Sequence, residues 1–140
     1  MFIVETIIKN AGKKGIGVFA TSNIRKGQLI WKFDENFKLC WSEKKFNKLH
    51  PIAQAYIRKH GAKESHNMWY LDIDNTKYIN HSSSPNLLFV SSKNKSDYGD
   101  IMSGVALCNI KKGEEITCDY YCTSVNSKDG YRDIRFKTLQ

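Results

Sequence analysis

No apolar stretch in this 140-residue chain approaches the ~20 residues that a membrane-crossing helix requires. The leading MFIVETIIKN breaks its apolar run with Glu5 and carries no basic lead, so it does not read as a secretory signal. Cysteine is sparse: Cys40, Cys108, Cys118 and Cys122 form no Cys-x-x-Cys pair, and no His cluster stands near them. That argues against a closed structural zinc site and against a disulfide-stapled miniprotein; four reduced thiols in an intracellular protein are the expectation. The charge is +8, from 22 basic and 14 acidic residues, but no run of five basic residues occurs. Such a balance suits nucleic acid or another acidic surface, and equally suits plain solubility. Gly15-x-Gly17 lacks a third glycine at the dinucleotide spacing, and a strand rather than a helix follows it, so it is not a dinucleotide fingerprint. Nor do strands and helices alternate as a doubly wound parallel sheet requires. These absences leave a soluble, intracellular protein with no membrane partner and no metal.

What is present suits one domain with one real core. Gly15 to Ala20 and Gln28 to Phe33 read as strands about an Arg25-Lys26-Gly27 turn. The frame recurs: Ala20 to Ile30 and Ala106 to Ile116 share Ala-x-x-Asn-Ile-basic-Lys-Gly-polar-x-Ile. Two copies are too few and too short for a solenoid; they predict strand, Gly turn, strand twice, with Gly27 and Gly113 at positive φ. Between them Phe46, Leu49, Ile52, Ala53, Tyr56 and Ile57 fall at helical spacing, with Ser42 as an N-cap, Pro51 in the first turn of a second helix and Gly61 at its end. Trp69 to Asp72, Leu87 to Ser91 and Met102 to Ile110 read as strands, and Lys93 to Gly99 as a polar loop. The fold class is mainly β with a small helical insert, about residues 42–66.

Two polar segments lie where a small domain would place a site. YINHSSSPN, residues 78–86, has neither strand alternation nor helical spacing, and GEEITCDYY, residues 113–121, ends a strand on two tyrosines. A Cys–His nucleophile pair at His81, or a metal held by His81 with Asp72, Asp74 or His66, is conceivable, but no local spacing marks either. Tyr120 could offer its hydroxyl to an enclosed site, or simply pack.

Together with KGIGVFA, residues 14–20, these segments resemble the SET domain of lysine methyltransferases. YINHSSSPN is similar to that family's aromatic-x-Asn-His-Ser-x-x-Pro-Asn motif, and GEEITCDYY to its Gly-Glu-Glu-Leu-Thr-x-Asp-Tyr motif. The resemblance runs over residues 3–121. It implies a SET-domain β fold of short sheets with a threaded, knot-like C-terminal segment, a SET domain over 1–122 and a tail, 123–140, that closes the site. It implies S-adenosylmethionine as cofactor, held by Lys14, Ile16, Gly17, Tyr78, Asn80 and His81. Tyr120 would be the catalytic tyrosine. The substrate channel would involve Phe33, Phe89, Cys118, Tyr120 and Tyr131.

Two departures from the family bear on function. Many members carry Phe or Tyr where this chain has Cys118; the smaller side chain leaves room for di- or trimethylation, unless Phe89 fills it. No cysteine follows Cys122 in the sequence, so in place of the Cys-rich zinc module that closes many family members, the tail (with Tyr131 and Phe136), a homodimer partner or the substrate is expected to serve. The substrate implied is a protein lysine, with a histone tail the leading candidate, so a chromatin regulator in a nucleus, that of a host cell included, is the expected setting. Acidic Asp34, Glu35, Glu64, Asp72 and Asp74 lie in or beside the insert, where a basic peptide would want an acidic groove, and the basic remainder could touch nucleosomal DNA. The rival expectations are an inactive SET fold used as a binding module and a basic nucleic-acid binder.

Overall fold

A computed structural model describes residues 1–63, 67–96 and 99–120. The strands are β1 (Thr6–Asn10), β2 (Ile16–Ala20), β3 (Leu29–Lys32), β4 (Lys38–Ser42), β5 (Ala62–Lys63), β6 (Met68–Asp72), β7 (Asn80–His81), β8 (Leu87–Ser96), β9 (Gly99–Ala106) and β10 (Glu115–Cys118). Helices α1 (Glu43–Phe46) and α2 (Pro51–His60) form the insert. One sheet has the order β1-β2-β10-β8-β9-β3, with β7 also pairing β10; a smaller one has the order β4-β6-β5. The mainly β architecture with a small helical insert is therefore as expected. The tail 123–140, with Tyr131 and Phe136, and residues Glu64 and His66 lie outside the described residues.

The two Gly-turn repeats grip one another. Ile24 and Ile110 exchange backbone hydrogen bonds of 2.8 and 2.9 Å. Gly27 N–H donates to Ala106 O at 2.7 Å, and its counterpart Gly113 N–H donates to Ala20 O at 2.8 Å. Lys26 N–H donates to Asn109 Oδ1 at 2.8 Å, and Lys112 N–H to Asn23 Oδ1 at 2.9 Å. Each of these bonds has its mate in the other copy, which explains the shared Asn and Gly of the frame. Gly27 and Gly113 have φ of 79° and 87°, which an L side chain resists. Around this clasp lies the main core, including Val18, Ile30, Leu87, Ile110 and Ile116, none more than 1% exposed.

The insert has its own small core. Phe46 and Trp69 stack with ring centroids 4.2 Å apart, and the Arg58 guanidinium sits 4.8 Å from the Phe46 centroid. Ser42 Oγ caps α1 by accepting from Lys45 N–H at 3.3 Å, and Pro51 opens α2. Gly61 ends α2, but not through a left-handed φ: a Cβ there would lie 2.2 Å from Tyr70 O and 2.7 Å from Ile57 O. Because Phe46 is fully buried, Phe46→Ala should lower unfolding free energy in urea by about 3–5 kcal/mol. A loss under about 1 kcal/mol would show that the insert contributes little to the cooperative fold.

Two local expectations need correction. Lys93 to Gly99 is not simply a loop: β8 continues to Ser96 and pairs β9 at Lys95↔Asp100 and Ser96↔Gly99, past an irregularity after Ser91. Backbone pairing requires no apolar side chains, so polar composition hid it. The strand expected over Met102 to Ile110 stops at Ala106, where the clasp begins. The helical spacing of Ile52, Tyr56 and Ile57 is met by α2, in which Ile57 is 4% exposed, Ile52 74% and Tyr56 43%.

Candidate active site

The Gly-x-Gly segment builds one wall. Gly12–Lys14 form a 3-10 turn, and Gly15, at φ 81°, turns the chain into β2. Gly17 is required by crowding: a Cβ there would fall 2.5 Å from Glu115 Oε1, 2.9 Å from the Ala11 Cβ and 3.0 Å from Asn80 Nδ2. Glu115, on β10, reaches across that gap. Its Oε1 accepts from Asn80 Nδ2 at 2.8 Å, and its Oε2 lies 3.6 Å from Lys14 Nζ. Asn80 Nδ2 also donates to Ile16 O at 3.0 Å. The three motif segments thus meet at one clamp.

Residues 80–86 wrap β10. β7 pairs it in parallel, Thr117↔Asn80 and Cys118↔His81. Ser82 N–H donates to Cys118 O at 3.0 Å, and Asn86 N–H to Thr117 O at 3.2 Å. The Asn86 amide imitates a peptide unit: Nδ2 donates to Glu115 O at 2.8 Å while Oδ1 accepts from Thr117 N–H at 2.9 Å. A short segment without strand alternation is therefore fixed by its polar side chains.

Tyr120 is fixed from two sides. Its backbone N–H donates to His81 Nδ1 at 3.2 Å, and its hydroxyl donates to Ile79 O at 2.6 Å. The two rings lie 5.1 Å apart. With its proton directed to Ile79, the hydroxyl oxygen can offer only lone pairs to another partner. Acting on a substrate, it would be an acceptor.

A cavity of about 440 Å³ connects these parts. Of the residues expected to hold a cofactor, it is lined by Lys14, Ile16, Tyr78 and Asn80; Gly17 and His81 stand behind, at the clamp and against Tyr120. Of the expected channel residues, Phe89, Cys118 and Tyr120 line it. Phe33 is not among the lining residues; it packs on the main core, under Lys38 Nζ at 5.4 Å from its centroid. Phe89 meets Trp31 edge-on at 5.0 Å, and the Trp31 indole N–H donates to Thr76 Oγ1 at 2.8 Å.

The sequence did not single out Lys59, His60, Thr76 and Lys77, which also line the cavity. They come from the end of α2 and the turn before β7, and only tertiary folding joins them. His60 lies 4.7 Å from Tyr56 and 5.5 Å from Tyr78 by ring centroid. Burial, and then the neighbouring Lys59 charge, hold its imidazole below the usual value of 6.5. A hydrogen bond with Tyr78 raises the Tyr56 phenol, with burial adding to it. The described lining of the cavity bears Lys14, Lys59 and Lys77 and no carboxylate. Of the acidic residues in or beside the insert, Asp34 and Asp74 cap turns, accepting from Asn36 N–H at 2.9 Å and Thr76 N–H at 3.2 Å, and Asp74 also accepts from Phe2 N–H at 2.8 Å.

Residues 15–121 match the SET domain family, and the chain belongs to it. A search of curated proteins gives no match. Among solved structures, a candidate histone methyltransferase of Plasmodium falciparum is similar, with TM-score 0.57 and 23% identity over 84% of this chain and 93% of that one. Polycomb Repressive Complex 2 of Chaetomium thermophilum, as a humanised mutant bound to an inhibitor, gives TM-score 0.59 and 17% identity over 88% of this chain. The same complex with H3K27me3 gives TM-score 0.59 and 16% identity over 84% of this chain. This chain spans only 16% and 14% of those two chains. At such identities the likeness is one of fold, and the fold is that of SET methyltransferases. No described helix is long and apolar enough to cross a membrane.

Proposed function

We propose that this SET-domain protein transfers methyl groups from S-adenosylmethionine to a protein lysine, with a histone tail as the leading substrate. The observation that carries the proposal is the shared cavity: Lys14, Ile16 and Asn80 on one wall, Phe89, Cys118 and Tyr120 on another. The chemistry of the lining fits the cofactor. Lys59 and Lys77 suit its carboxylate, the acceptor atom of Asn80 suits its ammonium, and Tyr78 and Phe89 suit its apolar and cationic parts. Gly17 keeps the clamp behind this wall closed, and His81 holds Tyr120 in place. When bound, S-adenosylmethionine supplies a methyl group on a sulfonium.

The chain's own task is to deliver a neutral, aligned amine. A free lysine, with pKa about 10.4, is only ~0.1% neutral near physiological pH. Enclosure, and the like charges of the lining lysines, disfavour the ammonium form. The lone pairs of the Tyr120 hydroxyl can accept from an amine N–H and aim the nitrogen, and alignment alone can supply several kcal/mol. Tyr78, Phe89 and Tyr120 form walls that tolerate methylated ammonium. No general base is invoked.

Incubation with labelled S-adenosylmethionine, histones and whole lysate tests the proposal. Label should enter protein lysine. An inactive binding module would bind no cofactor in calorimetry, and a nucleic-acid binder would show steeply salt-dependent DNA affinity indifferent to Tyr120→Phe. A histone substrate is supported by the relatives named above and would place the enzyme at chromatin.

Cys118 is 7% exposed and lines the cavity together with Phe89, and it is a smaller side chain than the Phe or Tyr that many family members carry at its position. The wild type should therefore yield di- or trimethyl-lysine, and Cys118→Tyr should shift the product to monomethyl, as read by mass spectrometry. A wild-type product that stops at monomethyl would overturn this.

A further inference from the structure

We infer that Glu115 is a positioning residue: it fixes which end of the Asn80 amide faces the ligand, so that this corner of the cavity selects a hydrogen-bond donor, such as an α-ammonium, over an acceptor. The inference rests on the cofactor reading above and deepens it. A side-chain amide has two ends of nearly equal size and opposite hydrogen-bonding sense. At Asn80 the choice between them is forced. One end lies 3.0 Å from Ile16 O and 2.8 Å from Glu115 Oε1. A peptide carbonyl and a carboxylate are both acceptors, so the end that meets them must be the NH2 group. Turning the amide over would lose both bonds and set oxygen against two oxygens.

Glu115 is itself held. Its side chain is 20% exposed, and Lys14 Nζ stands 3.6 Å from its other oxygen. The missing side chain at Gly17 leaves the space that its Oε1 occupies. Asn80 lines the cavity, and no described residue donates to its Oδ1. Both amide protons are thereby committed to the protein, and an acceptor is what remains for the ligand. Without Glu115 only Ile16 O opposes rotation, and the amide can turn to suit either kind of group.

Calorimetry with S-adenosylmethionine and with its analogue lacking the α-amine tests this. Wild type should prefer the parent cofactor by about tenfold or more, the discrimination expected of a hydrogen bond to a charged donor. Glu115→Ala should lose most of that preference, chiefly by weaker binding of the parent, while affinity for the deaminated analogue stays within about threefold. Glu115→Gln, whose oxygen can still accept from Asn80, should keep the preference. Asn80→Ala must lose it too, which preserves the test if Glu115→Ala does not fold. Unchanged preference in either alanine variant, or equal loss of both ligands in Glu115→Ala, overturns the inference alone. Failure of the wild type to bind either ligand overturns the cofactor reading, and this inference with it.

Discussion

Tyr120→Phe should transfer label at least about 10²-fold more slowly than wild type while binding S-adenosylmethionine with nearly unchanged affinity. The substitution keeps the ring against His81, where the centroids are 5.1 Å apart, and removes one oxygen. That oxygen is the acceptor proposed to aim the substrate amine, and misplacement of a reacting atom by about 1 Å can cost 10²-fold. A smaller structural effect should accompany the change. The hydroxyl donates to Ile79 O at 2.6 Å, so its loss leaves a carbonyl without that partner and lowers stability by about 1 kcal/mol. Thermal melting measures the second effect and single-turnover labelling the first. Equal labelling by the two proteins would remove Tyr120 from the reaction.

Gly17→Ala should weaken cofactor binding by about 10- to 100-fold, since inserting a methyl into a packed site costs about 1–3 kcal/mol. The methyl would meet Glu115 Oε1, the Ala11 Cβ and Asn80 Nδ2 at 3.0 Å or less. The carboxylate or the amide must give way, and both belong to the clamp. Gly27→Ala is the control. It meets no atom within 4 Å and strains only a backbone at φ 79°, so it should lower stability by about 1–2 kcal/mol without touching affinity. Titration calorimetry separates them. A Gly17→Ala protein that binds the cofactor like wild type would show that the clamp is irrelevant to the ligand.

The elements legible in the sequence were those whose signal is local. The repeated Ala-x-x-Asn-Ile frame gave both Gly turns at the right positions, and Ser42 and Pro51 marked the helix starts. β1 gave little signal because four of its five residues are exposed, so no alternation survives. Ile52 and Tyr56 kept helical spacing without helical burial, a pattern that spacing cannot distinguish from a core face. At the site, Asn80, Phe89, Cys118 and Tyr120 were found because their segments resemble a known family. Glu115 stood in plain view within the same motif, yet its role depends on Asn80, 35 residues away. Lys59, His60 and Lys77 have no motif at all; the end of α2 carries two of them to the cavity lining.

The mutual grip of the two Gly turns bears on how the chain reaches this structure. Its side-chain bonds join residues 83 and 89 apart in sequence. Such contacts are slow to find, because a long loop must close before they form. The first turn has no partner until the second has been made, and β10, which carries Glu115 and Cys118, follows directly from that second turn. The pocket should therefore be among the last parts to assemble during refolding. Nascent protein would acquire ligand affinity only when nearly the whole domain is available, with no competent half-built intermediate.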